Sequence, residues 1–283
     1  MANKIWQNRL AESQEIIKDK KKKKEKIKKY SFRFFLILFI FCFFWPQYWK
    51  RLVYPFIYGK YTSQNLKISA QDSFEDLPEN TPPIYFKYDS YTYELTPKTK
   101  YSVTGKIAYI EPYDGIWNRI YRNHSQKHYI NIVPIDFFIV IGNIAKPEIY
   151  KMFEFGHEER AGFIRCKGVK YKTSAFSMFL SEKEYRKSAE NEAKCAPFLN
   201  PEEYNNYHPI PANENTRKAL HMLLPNDVVY LEGILVDVNS MGLDLVTGTR
   251  KLQHHKYIVA GYNPGMCFVL YTTKIIFNNH VYE

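Results

Sequence analysis

The sequence predicts an α+β protein in which a single N-terminal transmembrane helix precedes a mainly antiparallel, partly closed β-sheet domain with two or three helices. Three observations predict this class. The chain has 283 residues, of which 45% are hydrophobic and 17% aromatic, enough for a folded core. Only one stretch is apolar enough to cross a bilayer. Beyond it, apolar and polar residues alternate as in half-buried strands.

The N-terminal segment is strongly basic. Residues 1–33 hold twelve basic and four acidic side chains, which is +8 of the net charge of +11. Its centre is the lysine run Lys20, Lys21, Lys22, Lys23 and Lys24. We expect these lysines to contact anionic lipid headgroups. Nucleic-acid binding is disfavoured because no aromatic or arginine side chains interleave the run. Residues 1–29 are therefore predicted to be a cytoplasmic tail that binds no nucleic acid.

The apolar stretch follows directly. Residues 34–49 carry no charge, and with snorkelling flanks residues 30–49 reach the length of one transmembrane helix. Twelve basic residues precede it and four lie in the twenty residues after it, which predicts a cytoplasmic N-terminus. A cleaved signal peptide and a buried helix of a soluble protein are the alternatives; the long basic region and the bulky residues that follow disfavour both. The predicted location is the bacterial inner membrane, with a periplasmic C-terminal domain.

The exported part divides into a connector, residues 50–100, and an α+β domain, residues 101–283. Periodicity predicts strands within 101–111, 128–143, 161–172, 227–238 and 265–277. Helices are predicted at 146–155, where a proline stands at the first turn, at 181–196, where Ser181 and Glu184 form a capping box, and at 212–224. Gly105 and Gly233 each lie inside a strand pattern. Such glycines mark the bends that small barrels need, so an oligonucleotide/oligosaccharide-binding (OB)-like barrel is one form the sheet is expected to take.

Several tracts resemble a loosely defined group of uncharacterised bacterial membrane-anchored proteins. They are IVPIDFFIVIGN, FIRCKG, NYHPIPANE, NDVVYLEGILVDV and GMCFVLY, within residues 129–277. The positions that match are Asp136, Gly142, Cys166, His208, Gly233, Gly265 and Cys267. Phe268 departs from the pattern because the group has an acidic residue there. The resemblance implies a similar fold and membrane topology, without a reaction.

The cysteines of the exported part number three, and an oxidising compartment permits disulfides among them. Cys166 and Cys267 both lie in predicted strands and are the expected pair, which leaves Cys195 as a thiol. The alternative is that all three are reduced and buried.

Cofactor and catalytic motifs are missing from the sequence. The possible metal ligands Cys166, Cys195, Cys267, His208, His254 and His255 have no recognised ligand spacing, so neither a metal nor another cofactor is predicted. No P-loop, GxSxG or HExxH motif occurs. A cysteine nucleophile needs a histidine beside it, and Cys267 with His208 is the pair that would serve.

An exposed set of aromatic side chains is predicted to form a contact surface for another protein, with glycan contact as the lesser alternative. Its members are Tyr85, Tyr91, Tyr93, Tyr113 and Trp117.

Together these features predict a non-enzymatic protein. It would be a structural or assembly component of an envelope-spanning complex of secretion or motility type, with other envelope proteins, the membrane and further copies of itself as partners. The alternative function is a periplasmic enzyme or small-ligand-binding domain that uses a pocket at His208 and Cys267.

Overall fold

The computed structural model describes residues 28, 30–31, 33–35, 50–78, 80–88, 90–113, 129–158, 161–169, 181–240, 243–247, 262–264 and 267–283. Contacts divide the chain into two units, residues 1–53 and residues 54–283. The described residues of the first unit are helical, and the second unit holds the strands.

The predicted fold class is wrong in its membrane helix. Among the described residues, no helix has the length and apolar character needed to span a bilayer. Most of the predicted span, residues 30–49, and the whole lysine run Lys20, Lys21, Lys22, Lys23 and Lys24 lie outside the described residues. The described part is instead mostly an antiparallel sheet with a few short helices.

The described part of the second unit contains thirteen strands, and three of its α-helices are named here α1 to α3. The strands are β1 (Lys60–Tyr61), β2 (Ser73–Asp76), β3 (Ile84–Tyr88), β4 (Tyr91–Pro112), β5 (Ile135–Val140), β6 (Phe153–Glu158), β7 (Ala161–Cys166), β8 (Tyr204–Pro211), β9 (Val228–Ser240), β10 (Leu243–Leu245), β11 (Tyr262–Pro264), β12 (Cys267–Phe277) and β13 (His280–Tyr282). The helices are α1 (Pro147–Tyr150), α2 (Glu182–Cys195) and α3 (Glu214–Leu220).

Five of the described strands close into a ring. β4 pairs with β5, β5 with β8, β8 with β12, β12 with β9, and β9 with β4. Every pair is antiparallel except β8 with β12. Numbered 1 to 5 by their order along the chain, the five strands follow the order 1-2-3-5-4 around the ring. The last of them, β12, therefore lies between the third, β8, and the fourth, β9. This is a Greek-key closure, which leaves no open edge among these five strands.

The main core fills the inside of this ring. Side chains alternate between the two faces of each strand. Phe137 of β5, Tyr207 of β8 and Phe268 of β12 point inward and are buried with the leucines and valines of β4 and β9. Their sequence neighbours, Asp136 and His208, therefore lie on the outer face of the ring.

A three-stranded sheet, in the order β11-β7-β6, packs beside the ring. Ile164 of β7 and Phe153 of β6 are buried together with Phe138 and Val140 from the outer face of β5. This second cluster, with a further one around Tyr93, Tyr129 and Val269, removes the outer face of β5 and β8 from water.

Local structure matches several sequence expectations. The Ser181–Glu184 capping box opens α2, and the predicted helix at 212–224 is α3 with Ala219 and Leu220 fully buried. The predicted helix at 146–155 is confined to α1, because Phe153 begins β6. The segment predicted as a connector, residues 50–100, contains β1, β2, β3 and the first half of β4, so it belongs to the folded sheet.

Candidate functional site

A buried carboxylate, Asp136 of β5, is the centre of the candidate site. Its side chain has no solvent exposure and accepts hydrogen bonds from three directions. Tyr113 Oη donates to Oδ2 over 2.7 Å, Tyr129 Oη donates to Oδ1 over 3.1 Å, and His208 Nδ1 lies 2.6 Å from Oδ1. A buried carboxylate needs such partners, because an unpaired charge away from water is costly.

Strand register explains why Asp136 and His208 meet. In the antiparallel pair of β5 and β8, Phe137 is the partner of Tyr207. One step along, Asp136 lies opposite His208, and both side chains leave the sheet on the outer face. Side chains that lie opposite each other on antiparallel strands have Cβ atoms about 5 Å apart. The aspartate and the histidine are therefore brought together by pairing alone.

Cys267 joins them from the other side of β8. The parallel register of β12 places Cys267 beside Asn206 and Val269 beside His208. The thiol shares a hydrogen bond with His208, and Asn206 Nδ2 lies 3.5 Å from Sγ. Because His208 Nδ1 contacts Asp136, Nε2 is the nitrogen left for the thiol. The Asp136 carboxylate, the His208 imidazole and the Cys267 thiol thus lie next to one another on the neighbouring strands β5, β8 and β12.

The hydrogen-bonding pattern fixes the histidine tautomer. The Asp136 carboxylate only accepts hydrogen bonds, so Nδ1 carries a proton and donates it to Oδ1. Tyr129 Oη, 3.0 Å from Nδ1, accepts from the same N–H while its own proton points to Asp136. His157 of β6 approaches the opposite carboxylate oxygen, with Nε2 3.5 Å from Oδ2.

Electrostatics favour the charged forms of all three groups. Burial alone would raise the pKa of Asp136, but His208, His157 and Tyr113 outweigh it and the pKa of Asp136 is lowered. Burial would lower the pKa of His208, yet the Asp136 charge raises that pKa to about 10. Burial would likewise raise the pKa of the Cys267 thiol, whereas the hydrogen bond with His208 lowers it. At neutral pH the site therefore holds a carboxylate, an imidazolium and a thiol poised to ionise.

Of the three residues Asp136, His208 and Cys267, the cysteine is the one that solvent reaches. Asp136 and His208 are buried, whereas Cys267 is partly exposed. The three-stranded sheet β11-β7-β6, here called the outer sheet, lies close at this point. A Cβ on Gly162 of β7 would lie 2.3 Å from the Phe138 ring and 3.0 Å from Asn206 Oδ1. Glycine at 162 thus lets β7 lie against the strand that carries the histidine. A thiolate on a partly exposed cysteine beside an imidazolium is the nucleophile that covalent catalysis requires.

The predicted disulfide is wrong. Cys166 of β7 pairs with Cys195 at the end of α2, and Cys267 takes no part in a disulfide. The prediction failed because strand membership says nothing about which cysteines are adjacent in space, whereas α2 packs its last residue against β7. Cys166 and Cys195 are both buried.

The predicted aromatic contact surface is dispersed. Tyr93 and Tyr113 are buried, so neither belongs to an exposed surface. Tyr85 is exposed and Tyr91 partly so. Trp117 lies outside the described residues.

Among the described residues, two of the possible metal ligands, His208 and Cys267, lie together. His254 and His255 lie outside the described residues, and Cys166 and Cys195 are consumed by their disulfide. Within the described ranges, no cluster of three or more His, Cys, Asp or Glu side chains has the arrangement of a metal site.

Sequence reasoning identified His208 and Cys267 as a pair, and the resemblance placed Asp136 among the matching positions. It missed Tyr129, His157 and Asn206, and it assigned Tyr113 to the surface. One signal was available for Asp136, which is the only charged residue in the apolar run from Ile130 to Ile144. A lone acid in a strand that is buried on both faces requires a partner inside the protein.

Comparison of the chain with protein-family models, with curated proteins and with solved structures finds no match.

Proposed function

We propose that this protein is an enzyme of covalent acyl transfer or hydrolysis in which Cys267 is the nucleophile. The observation that carries the proposal is the arrangement of Asp136, His208 and Cys267. Nδ1 of His208 contacts the Asp136 carboxylate, and the Cys267 thiol lies on the other side of the imidazole ring. These are the roles that a nucleophile, a general base and an orienting acid need, and they are recognised by geometry independently of fold.

The chemistry uses side chains of the chain itself. The Cys267 thiolate attacks the carbonyl carbon of an acyl compound, and the C–S bond forms. His208 gives its Nε2 proton to the leaving group as the bond to that group breaks. Water then attacks the thioester carbonyl while His208 accepts a proton from the water, and the C–S bond breaks to release the carboxylic acid and restore the Cys267 thiolate beside the imidazolium. Asp136 stabilises the imidazolium throughout and holds Nδ1 protonated.

The test is the pH dependence of alkylation of Cys267 by iodoacetamide, followed by peptide mass spectrometry. An ordinary thiol becomes reactive with a pKa of about 8.5. We expect Cys267 in the native protein to react at pH 6.5 at least ten times faster than the same cysteine in denatured protein. His208→Gln should abolish this advantage, because the imidazolium no longer stabilises the thiolate.

His280→Gln is the matched control, since His280 lies on β13 and contacts Asn278 O. It should leave the alkylation rate unchanged. A Cys267 profile with an ordinary thiol pKa that does not respond to His208→Gln would contradict the proposal.

We also propose that the protein works in an oxidising compartment, such as a bacterial periplasm. The Cys166–Cys195 disulfide supports this, because structural disulfides persist in secreted and periplasmic proteins and are rare in reducing cytosol. Membership of an envelope-spanning complex, with envelope proteins and anionic lipids as partners, stays a prediction from the sequence.

A further inference from the structure

Asn206 is a second polar side chain of β8, besides His208, that contacts Cys267. It is fully buried, it lies beside Cys267 in the parallel register of β8 and β12, and its Nδ2 is 3.5 Å from Sγ. It stands two residues before His208 on the same strand, so both side chains leave the outer face of the ring. A thiolate nucleophile thus has the imidazole on one side and a carboxamide on another.

The orientation of this carboxamide follows from its surroundings. Nδ2 is the donor end and faces the sulfur, which accepts the hydrogen bond when ionised. The oxygen end is turned towards β7, where a Cβ at Gly162 would come 3.0 Å from Oδ1. The opposite orientation would place Oδ1 against a thiolate, two acceptors in contact. The donor is therefore fixed at the sulfur before any substrate arrives.

The other donors of the site are already engaged. Tyr113 and Tyr129 both donate to Asp136, and His208 Nδ1 is held by the same carboxylate. The remaining proton of His208, on Nε2, is needed for the leaving group. Asn206 Nδ2 is thus a side-chain donor that is close to the sulfur and is not required for proton transfer.

We propose that Asn206 stabilises the oxyanion that forms when Cys267 attacks an acyl group, so that the substrate class of this site is a carbonyl compound such as an ester or thioester. The inference rests on the proposed function and names the side chain that stabilises the negative charge developing on the substrate oxygen. As the C–S bond forms, the carbonyl π electrons move to oxygen, and Asn206 Nδ2 donates to that oxygen. When the oxyanion collapses, the carbonyl re-forms and the bond to the leaving group breaks.

Two reactions of the same thiol separate this role from mere support of the cysteine. Alkylation by iodoacetamide displaces iodide at a saturated carbon and generates no oxyanion. Acylation by p-nitrophenyl acetate passes through a tetrahedral intermediate and releases p-nitrophenolate. A residue that only positions the thiol or lowers its pKa affects both rates alike, whereas a residue that also donates to the oxyanion lowers the acylation rate further than the alkylation rate.

The experiment compares the wild-type chain with Asn206→Ala and Asn206→Ser in both reactions. Removing one oxyanion donor typically lowers the rate by about 10²- to 10³-fold. Asn206 Nδ2 also donates to the sulfur, so Asn206→Ala should slow alkylation as well. We therefore expect Cys267-dependent acylation to fall by about that factor beyond the loss seen in alkylation. Asn206→Ser keeps a short donor and should recover part of the acylation rate. Circular dichroism reports whether each variant is folded.

Three outcomes would overturn the inference. Equal losses in both reactions would make Asn206 a residue that supports the thiol alone, and unchanged acylation in both variants would remove it from the reaction. If the wild-type thiol alkylates rapidly but releases no p-nitrophenolate above the level of Cys267→Ser, both the acyl chemistry and the role of Asn206 fail. In the first two cases Cys267-dependent acylation persists in the wild type, so the proposed function survives.

Discussion

Asp136 is a residue whose charge is held entirely by protein groups. Two tyrosine hydroxyls and a histidine N–H surround it, and a second histidine lies 3.5 Å from Oδ2. Breaking a buried pair by removing one partner is strongly destabilising, because the remaining charge is left without compensation. The stability of the fold and the ionisation of the thiol are therefore coupled through the same carboxylate.

Stability should change with pH in a direction set by this pair. The pKa of His208 is raised to about 10 from an unfolded value of about 6.5. Its stabilising contribution is therefore complete below pH 6.5 and is lost as the pH rises towards 10. The pKa of Asp136 is lowered, so its contribution is present above about pH 4 and is lost as the pH falls further.

Asp136→Asn tests this linkage. Both chains carry Cys267→Ala so that the thiol does not titrate. With Asp136 present, the free energy of unfolding should fall between pH 6.5 and 9 with a slope of up to about 1.4 kcal/mol per pH unit. With asparagine the slope should vanish or reverse, because burial then favours the neutral imidazole. Urea unfolding at pH 6.5, 7.5 and 9 measures the slope, and equal slopes in both chains would refute the coupling.

At the scale of elements, the disulfide attaches α2 to the outer sheet. The helix is largely polar, with only Ser188 and Cys195 buried, so it contributes little apolar burial of its own. The Cys166–Cys195 bond, with both half-cystines buried, supplies the covalent link between α2 and β7. The outer sheet covers the histidine strand, so the disulfide supports the wall of the candidate site.

Loss of this disulfide should cost substantial stability. The two cysteines are 29 residues apart, and closing a loop of that length in the unfolded chain corresponds to about 3 to 4 kcal/mol. Cys166→Ala/Cys195→Ala should lose about that free energy of unfolding in urea, and dithiothreitol should have no further effect on it. Cys267→Ala is the control and should stay sensitive to dithiothreitol. A wild-type chain whose stability ignores the reductant would contradict this account.

Elements with strong local signals were predictable. The capping box of Ser181 and Glu184 begins α2 as the sequence indicated, and β9 lies where apolar alternation is clearest. Features that depend on distant partners were not predictable. The disulfide partner of Cys166 is chosen by packing of α2, and the exposure of Tyr113 is decided by a carboxylate 23 residues away. His208 and Cys267 were predicted as a pair from the chemistry of their side chains. That Asp136 lies beside them became evident only from the strand register.

At the scale of the whole molecule, the closed ring depends on close approach at one seam. Gly233 of β9 pairs with Tyr101 of β4 on one side and with Thr272 of β12 on the other. A Cβ at this position would lie 2.1 Å from the carbonyl oxygen of Tyr271. That atom belongs to the backbone of the neighbouring strand, so it cannot move aside as a side chain would.

Gly233→Ala should therefore destabilise the folded protein. Alanine makes the unfolded chain less flexible, which favours folding, but the steric clash costs more free energy than this effect contributes. The seam between β9 and β12 must open to admit a methyl group, and overpacking of this kind costs about 1 to 3 kcal/mol or more. Lys274→Ala, which shortens a partly exposed side chain at the same seam, should change stability by less than about 0.5 kcal/mol. Thermal unfolding of both variants measures the difference. Equal stabilities would show that the ring accommodates the methyl group.

The order in which the ring is closed has a consequence for folding. Asp136, His208 and Cys267 come from the second, third and fifth strands of the ring along the chain, and β12 is the strand whose insertion completes it. Until that strand is in place, Cys267 is an ordinary thiol without an imidazolium beside it. The unfolded polypeptide thus carries an inert cysteine, and the nucleophile arises only when β12 has paired with β8 and β9. Maturation of the reactive group is in this way tied to the closure of the ring.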